Sequence, residues 1–480
     1  MTPPRALTVA SLALLLAACA DMSHVVPTQA RKLEASQLKA GAAISAAAAE
    51  GAAAQVAWPT EAWWQSLNDP QLDQLLQAAL ADNPSLKVSQ ARVRQAQALA
   101  GVAEAATKPR VDASAVSDRE LYSAHSTVPP PLAGNYAWRN SATITGSYDL
   151  DLWGRNRDAL AAALDDTHLA AAESQMVKLS LESAIVHSYI QLAHAYANHD
   201  AVAASLHERQ QILELTRRRR QAGLASDIDV NTIETTLPAG RREQEQAAES
   251  VALLRNQLAA LIGRGPGDGD TIARPVLTLN QPIALPSALP AELVGRRPDI
   301  AAQRWRVEAA AKRIDVAKAD FYPNINIVAF AGLQSLGFSR FLSSGSQVRG
   351  VSPAISLPIF EGGRLRSQLG AQNAVYDAAV EQYNATLVQA LSEVANAVTQ
   401  RRSVDEQEQL AEKALASANK GYLLADRAYR AGVTDSLTVL QARLTLLAEE
   451  QQMVLVQTRR LDSYAAMMTA LGGGIKQDFR

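Results

Sequence analysis

Three histidines (His187, His194 and His199), a run of four arginines (Arg217-Arg218-Arg219-Arg220) and a lone cysteine, Cys19, are the residues whose types and spacing could do chemistry. On a helix His187 and His194 share a face but stand two turns, about 10 Å, apart. That is too far for one metal ion, because helical ligand pairs come three or four residues apart, so no metal site is expected. The arginine run could hold an anion. It reads more simply as the last turn of a helix, where cations complement the helix dipole and keep an exposed end in water. Arg427 and Arg430 stand alike in the second half of the chain. No Ser/His/Asp cluster, phosphate-cradling loop or paired-carboxylate motif stands out, so neither catalysis nor a cofactor is expected. A formal net charge of −2 with no clustered basic surface argues against a nucleic-acid partner.

The cysteine is different. Met1–Arg5 is positively charged, and the apolar run from Ala6 to Ala17 is too short to span a bilayer. It ends in Leu16-Ala17-Ala18-Cys19, which resembles the bacterial lipobox. That resemblance implies cleavage before Cys19 and acylation of its nucleophilic thiol. The residue after the cysteine is Ala20, not the aspartate that favours inner-membrane retention, which points to the outer membrane. The alternative is an ordinary secretory signal with an incidental cysteine.

The elements that position the rest are long helices. Aromatic residues make up only 5% of the chain and alanine is abundant, a composition suited to helices that touch through small side chains. Residues 156–221 and 364–430 contain no proline, and each would form a helix about 100 Å long. Each ends at a glycine, and a return helix follows, over about Asp227–Ile262 and Asp435–Leu471. Leu437, Leu440, Leu444 and Leu447 make a narrow packing seam on the second of these. The chain is written twice. Pro84 and Pro298, and Pro109 and Pro323, share one offset of 214 residues, and Gly154 with Gly363 and Gly223 with Gly432 share one of 209. Pro84 and Pro298 each open a helix, reaching about Thr107 and Phe321.

Each half also carries two strands. Over Tyr136–Leu152 the residues Trp138, Ala142, Ile144, Tyr148, Leu150 and Leu152 alternate with polar ones, the period of a strand with one apolar face. Trp138 and Tyr148 lie on that face roughly 33 Å apart, a spacing suited to two aromatic girdles around a lipid band. A soluble sheet with one apolar face is the competing reading. The boundaries expected are a signal peptide at 1–18, a lipidated tether at 19–60 and a short tail at 474–480. Between them lie a first repeat at 61–272, with strands at about 110–123 and 137–153, and a second at 273–473, with strands at about 324–335 and 348–361. Chain order is expected to begin at Trp63-Trp64.

Four such strands cannot close a barrel alone, since the smallest closed barrels have eight and an open edge in lipid leaves backbone groups unpaired. Closure requires copies. Three would give twelve strands, with the helical hairpins forming a second tube beneath. Trp63-Trp64 with Leu67-Asn68-Asp69-Pro70, Tyr148-Asp149-Leu150-Asp151-Leu152-Trp153-Gly154-Arg155 and Leu357-Pro358-Ile359-Phe360-Glu361-Gly362-Gly363-Arg364 resemble the outer membrane factor family, typified by TolC and OprM, and within it the lipoprotein NodT-type efflux branch. The resemblance implies an α+β membrane protein, a homotrimer with a twelve-stranded β-barrel in outer-membrane lipid and a periplasmic α-barrel. It also implies a periplasmic adaptor as partner, and through it an inner-membrane pump that supplies the energy.

The resemblance places the periplasmic gate at Leu437, Gln441 and Asp435, and the adaptor-contact tips at Gly223, Leu224, Ala225, Gly432, Val433 and Thr434. Gln441 stands where relatives carry an acid, so an apolar, hydrogen-bonded closure is expected. Ser226 or Thr434 would cap the helices that follow the tips. Efflux of small toxic compounds is the reading favoured. A duct for secreted protein, a structural coiled-coil envelope lipoprotein and a lipoprotein enzyme are the alternatives.

Overall fold

The structure, a computed structural model, describes residues 22–38, 58–279 and 295–475. The signal segment, Cys19, residues 39–57 and the tail from 476 lie outside the described residues. The elements run α1 (Pro70–Asp82), α2 (Pro84–Ala105), β1 (Arg110–Leu121), β2 (Tyr136–Leu150), α3 (Arg155–Gln221), α4 (Asp227–Glu234) and α5 (Thr236–Leu261). Then come α6 (Pro298–Ala319), β3 (Asn324–Leu336), β4 (Gln347–Ser356), α7 (Arg364–Arg430) and α8 (Ser436–Ala470). The halves match in length where they correspond: α2 and α6 have 22 residues each, and α3 and α7 have 67. Among the described residues no helix is long and apolar enough to cross a membrane.

Contacts divide the chain into two compact units. The first holds the described parts of Met1–Lys32, Val93–Leu169 and Gln303–Tyr383. Its centre is a four-stranded antiparallel meander in the order β1-β2-β3-β4, which leaves β1 and β4 as edges. Register runs straight across the sheet, Ala115 opposite Ala142 and Ala142 opposite Leu333. β1, the strand with the weakest alternation, pairs along its whole length from Arg110 to Leu121. The second and fourth strands are shorter than expected. β2 stops at Leu150, where the chain turns and Gly154 takes a left-handed φ of +83° that starts α3. β4 stops at Ser356, two residues before Pro358, and does not reach 361.

Residues 22–32 are ordered against this unit, which corrects the expectation that order begins at Trp63. The Asn373 side chain donates to the Val26 carbonyl at 2.7 Å, and the N–H groups of Gln29 and Ala30 donate to Asp377 Oδ1 at 2.9 and 3.0 Å. Met22 and Val25 pack on Ile314, Ala317, Phe321, Leu365 and Leu369. Extended chain held by distant side chains has no periodicity to read.

The second unit holds the described parts of Leu33–Arg92, Ala170–Ala302 and Asn384–Arg480. Its caps are explicit. Asp69 accepts from the Gln71 N–H ahead of Pro70, and Asn83 Oδ1 accepts from the Ser85 N–H at 2.8 Å ahead of α2's second turn. Trp63 and Trp64 are buried edge to face, their ring centroids 6.0 Å apart. Arg297, before Pro298, is buried and joins three segments: it donates to Asp299 and Glu393 at 2.7 Å and to the Ala470 carbonyl at 2.9 Å. The first return segment is not one helix, as expected, but α4 and α5. Pro238 supplies no N–H, and its ring clashes with the carbonyl of residue 234, where α4 ends.

Glu182 on α3 is only 2% exposed, with the Lys178 ammonium 3.9 Å away, and burial pushes its carboxyl from 4.5 up to about 7. Between about pH 4.5 and 7 the unfolded chain therefore loses this proton while the folded chain keeps it. Stability falls as pH rises through that window and stays lower above it, by about 3 kcal/mol at most. Glu182→Gln is expected to raise the thermal midpoint relative to the natural chain at pH 8 and to leave it unchanged near pH 4.5. An equal difference at both pH values would contradict the assignment.

Candidate functional site

The straight register gives the sheet one mainly apolar and one mainly polar face, although Val116, Val328, Phe330 and Leu336 lie on the polar one. One face carries Val111, Ala113 and Ala115 of β1, Trp138, Ala142, Ile144, Tyr148 and Leu150 of β2, Ile325, Ile327, Ala329, Ala331 and Leu333 of β3, and Val351, Pro353 and Ile355 of β4. Trp138 and Tyr148 are 43% and 38% exposed, large aromatic surface left uncovered by the single chain. Trp138 also packs on Phe338, centroids 5.4 Å apart. This face is not wholly apolar: Asn140 lies on it with Ser117 and Ser335 on either side, and Arg119, Gln347 and Arg349 lie toward its loop end. Asn140 is buried, and the Ser117 hydroxyl donates to its Oδ1 at 2.7 Å. The other face carries Asp112, Ser114, Asp118, Arg139, Ser141, Thr143, Thr145, Ser147, Asp149 and Asn326, with Arg139 on Asp118 at 2.9 Å. A sheet of this kind separates lipid from water across its own thickness.

The junction between strands and helices joins Trp153 and Arg155 to Asp320, Tyr322 and Pro323. The Trp153 ring stacks on Tyr322 at 4.7 Å, and its indole N–H donates to the Pro323 carbonyl at 2.9 Å. Arg155 pairs with Asp320 at 2.7 Å. A tryptophan beside the positive-φ Gly154 was the available signal. Its partner lies 169 residues away in sequence.

The two helical tips share one geometry. Gly223 (φ +75°) and Gly432 (φ +73°) end α3 and α7, and the next N–H, of Leu224 or Val433, reaches back to the carbonyl of Arg219 or Ala428 at 2.8 or 2.9 Å. This turn projects Leu224 and Val433, which are 70% and 80% exposed, with Ala225 and Thr434 beside them partly covered. Ser226 caps α4 in a reciprocal box with Asp229. Thr434 does not cap α8. Asp435 does, accepting from the Thr438 N–H at 3.0 Å, because the helix starts one residue later than the sequence reading allowed.

Asp435 has a second partner. The guanidinium of Arg219, in the last turn of α3, donates to its Oδ2 at 2.7 Å. The Thr438 N–H and hydroxyl first, and Arg219 after them, hold the Asp435 carboxyl below its usual range. The whole arginine run is engaged: Arg217 with Glu234 at 2.9 Å, Arg218 with Glu214, and Arg220 with Asp227 at 2.6 Å. Besides complementing the helix dipole, three of the four fix neighbouring segments. Leu437 lies two residues beyond the Asp435 cap, within the first turn of α8, and is half-buried, and Gln441 is exposed.

The histidines do not converge. His187 Nδ1 lies 3.0 Å from Asp462 Oδ1, burial lowers the His194 pKa, and His199 sits 3.6 Å from Asp200. Among the described residues no group of three or more His, Cys, Asp or Glu side chains could hold a metal ion.

The family profile described as outer membrane efflux protein matches residues 75–264 and 289–473. The chain belongs to that family. It is 43% identical over 372 residues to the fusaric acid resistance protein FusA of Burkholderia cepacia, covering 77% of this chain and 69% of that one. To the multidrug resistance outer membrane protein MdtP of Escherichia coli K12 it is 30% identical over 429 residues, 87% of each chain. The crystal structure of the outer membrane protein VceC from Vibrio cholerae superposes with a TM-score of 0.81 at 35% identity, covering 87% of this chain and all of that one. The fold is thus that of TolC-like outer-membrane channels, and the protein is an outer-membrane efflux channel, not an enzyme.

Proposed function

We propose that three copies close the sheet into a twelve-stranded barrel and form the passive exit duct of a tripartite efflux system for small toxic compounds. An inner-membrane pump drives transport, and a periplasmic adaptor joins the pump to the duct. The observation that carries this reading is the open meander itself. Both its edges, β1 and β4, offer unpaired backbone groups, and its apolar face has no cover in the single chain. In lipid that arrangement is stable only when each β4 pairs with the β1 of the next copy. The relatives' names, resistance to fusaric acid and to multiple drugs, favour small compounds as cargo. Cys19 is the acylation site that anchors the chain to the same membrane. Trp138 and Tyr148 are the girdle residues at the two lipid boundaries.

The helical tips then serve two purposes. The exposed Leu224 and Val433, each projected by a glycine turn, are the adaptor contacts. The start of α8 is the gate, with three copies of Leu437 as its apolar ring and three of Gln441 as a neutral, hydrogen-bonding layer. Leu437→Ala is expected to raise the resting conductance of the purified channel in planar bilayers several-fold, with weak dependence on divalent cations in both forms. Unchanged conductance would remove Leu437 from the gate. The cargo assignment is tested by deleting the gene and restoring it. Restored resistance to small toxic compounds supports the assignment, and restored secretion of a protein, without such resistance, contradicts it.

A further inference from the structure

The apolar face of the sheet is free of acids but not of cations. Arg119 on β1 and Arg349 on β4 lie on it by register, opposite Trp138 and Ala331. Every acid of the four strands, Asp112, Asp118, Glu120 and Asp149, lies on the other face. The arginines of that other face are neutralised there, Arg110 by Asp112 at 2.6 Å and Arg139 by Asp118 at 2.9 Å. Arg119 and Arg349 are exposed and have no acidic partner among the described residues. Their positions also correspond. Arg119 is two residues from Leu121, the loop end of β1, and Arg349 is two residues from Gln347, the loop end of β4. The Arg119 guanidinium is held 5.1 Å over the Tyr136 ring, which orders it without using its hydrogen-bond donors on another protein group.

A cation on a lipid-facing surface is costly at the bilayer centre and nearly free at its boundary. Two unpaired arginines at the loop ends of an otherwise acid-free apolar face therefore suit the level of lipid headgroups. A guanidinium offers a planar fork of donors that matches phosphate oxygens in pairs. The geometry points to a site for the phosphorylated headgroup of an outer-leaflet lipid, held by Arg119 and Arg349. This inference rests on the trimeric channel proposed above. There the strands' loop ends face outward, and closure brings Arg349 of one copy to the same seam as Arg119 of the next, so that each seam presents two guanidinium groups.

The test uses the purified trimer in neutral detergent, with diphosphoryl lipid A as probe and phosphatidylcholine and inorganic phosphate as comparators, read by native mass spectrometry. The natural channel is expected to retain lipid A in preference to phosphatidylcholine. The variant carrying both Arg119→Gln and Arg349→Gln is expected to lose at least tenfold in lipid A affinity while keeping the trimer and its conductance. Should the double variant not assemble, each single variant is expected to lose threefold or more. A trimeric variant that binds lipid A as tightly as the natural chain overturns the site and leaves the channel reading intact. Displacement of lipid A by millimolar inorganic phosphate overturns the lipid assignment. Absence of both trimer and conductance in the natural protein overturns the channel reading, and this site with it.

Discussion

Replacing Gly332 with alanine is expected to abolish assembly of the channel. Gly332 lies at the centre of β3, opposite Thr143 on β2 and Val348 on β4. A Cβ added there would meet the Ala142 carbonyl oxygen at 2.1 Å, Thr143 Cα at 2.7 Å and Thr143 Cγ2 at 2.9 Å. Two of those three atoms are backbone, so no side-chain rotation relieves the clash. β2 and β3 must move apart, which breaks ladder hydrogen bonds at the only junction between the two halves of the sheet. Overpacking where neighbours can adjust costs about 1–3 kcal/mol, and here the neighbour cannot adjust. The cost recurs in every copy of a closed barrel. The control is Gly146→Ala on β2, where an added Cβ finds its nearest atom at 3.9 Å, an ordinary contact. On an unheated gel the Gly332 variant is expected to run as monomer or aggregate and the Gly146 variant as the natural oligomer. Oligomer at natural abundance in the Gly332 variant would mean that the strand register described above is wrong.

The second large effect is expected at the tips. Arg219 and Asp435 join the last turn of α3 to the first of α8, residues 216 apart in sequence, at the point where the chain starts toward Leu437. Asp435 is also the N-cap of α8, so its removal would confound two roles. Asp435→Asn separates them, because asparagine caps a helix as well as aspartate and carries no charge. Arg219→Ala breaks the same pair from the other side. Exposed ion pairs contribute about 0.2–1 kcal/mol each, and three symmetric pairs acting on one closed state sum to about 1–3 kcal/mol. Both variants are therefore expected to raise the open fraction of the channel about tenfold at low salt. The difference should shrink in molar salt, where charges are screened within about 3 Å. Arg218→Ala, whose partner Glu214 lies on its own helix, is the control and is expected to change nothing. If the control opens the channel as far as Arg219→Ala does, the tip is responding to lost charge in general and the pair is not a latch.

Much of the fold was legible because its elements follow local rules. Period-two alternation from Trp138 to Leu150 gave a half-buried strand, proline at positions 84 and 298 gave helix starts, and glycine at 223 and 432 gave the tips. Pro238 is an equally legible helix break within the return segment. Other features had no local signature. The strap at residues 22–32 is held by Asn373 and Asp377, which look like any polar residues on a helix face until the strap lies on them. Asp435 and Thr434 are both good caps, and the choice between them turned on where the helix begins, which spacing does not fix to one residue. Arg219 reads as one of four similar arginines, and only folding shows that it alone faces α8. The site's residue types were visible in the sequence, whereas its pairings depend on contacts between segments about two hundred residues apart.

The central claim is that a chain with four strands becomes a channel by closing its sheet between copies. The direct test is to purify the protein from outer membranes in mild detergent, measure the mass of the heat-resistant species, and reconstitute that species in a planar bilayer. The account predicts a trimer that dissociates to the single chain only on boiling, with discrete conductance steps. A monomer that inserts without conductance steps would contradict it.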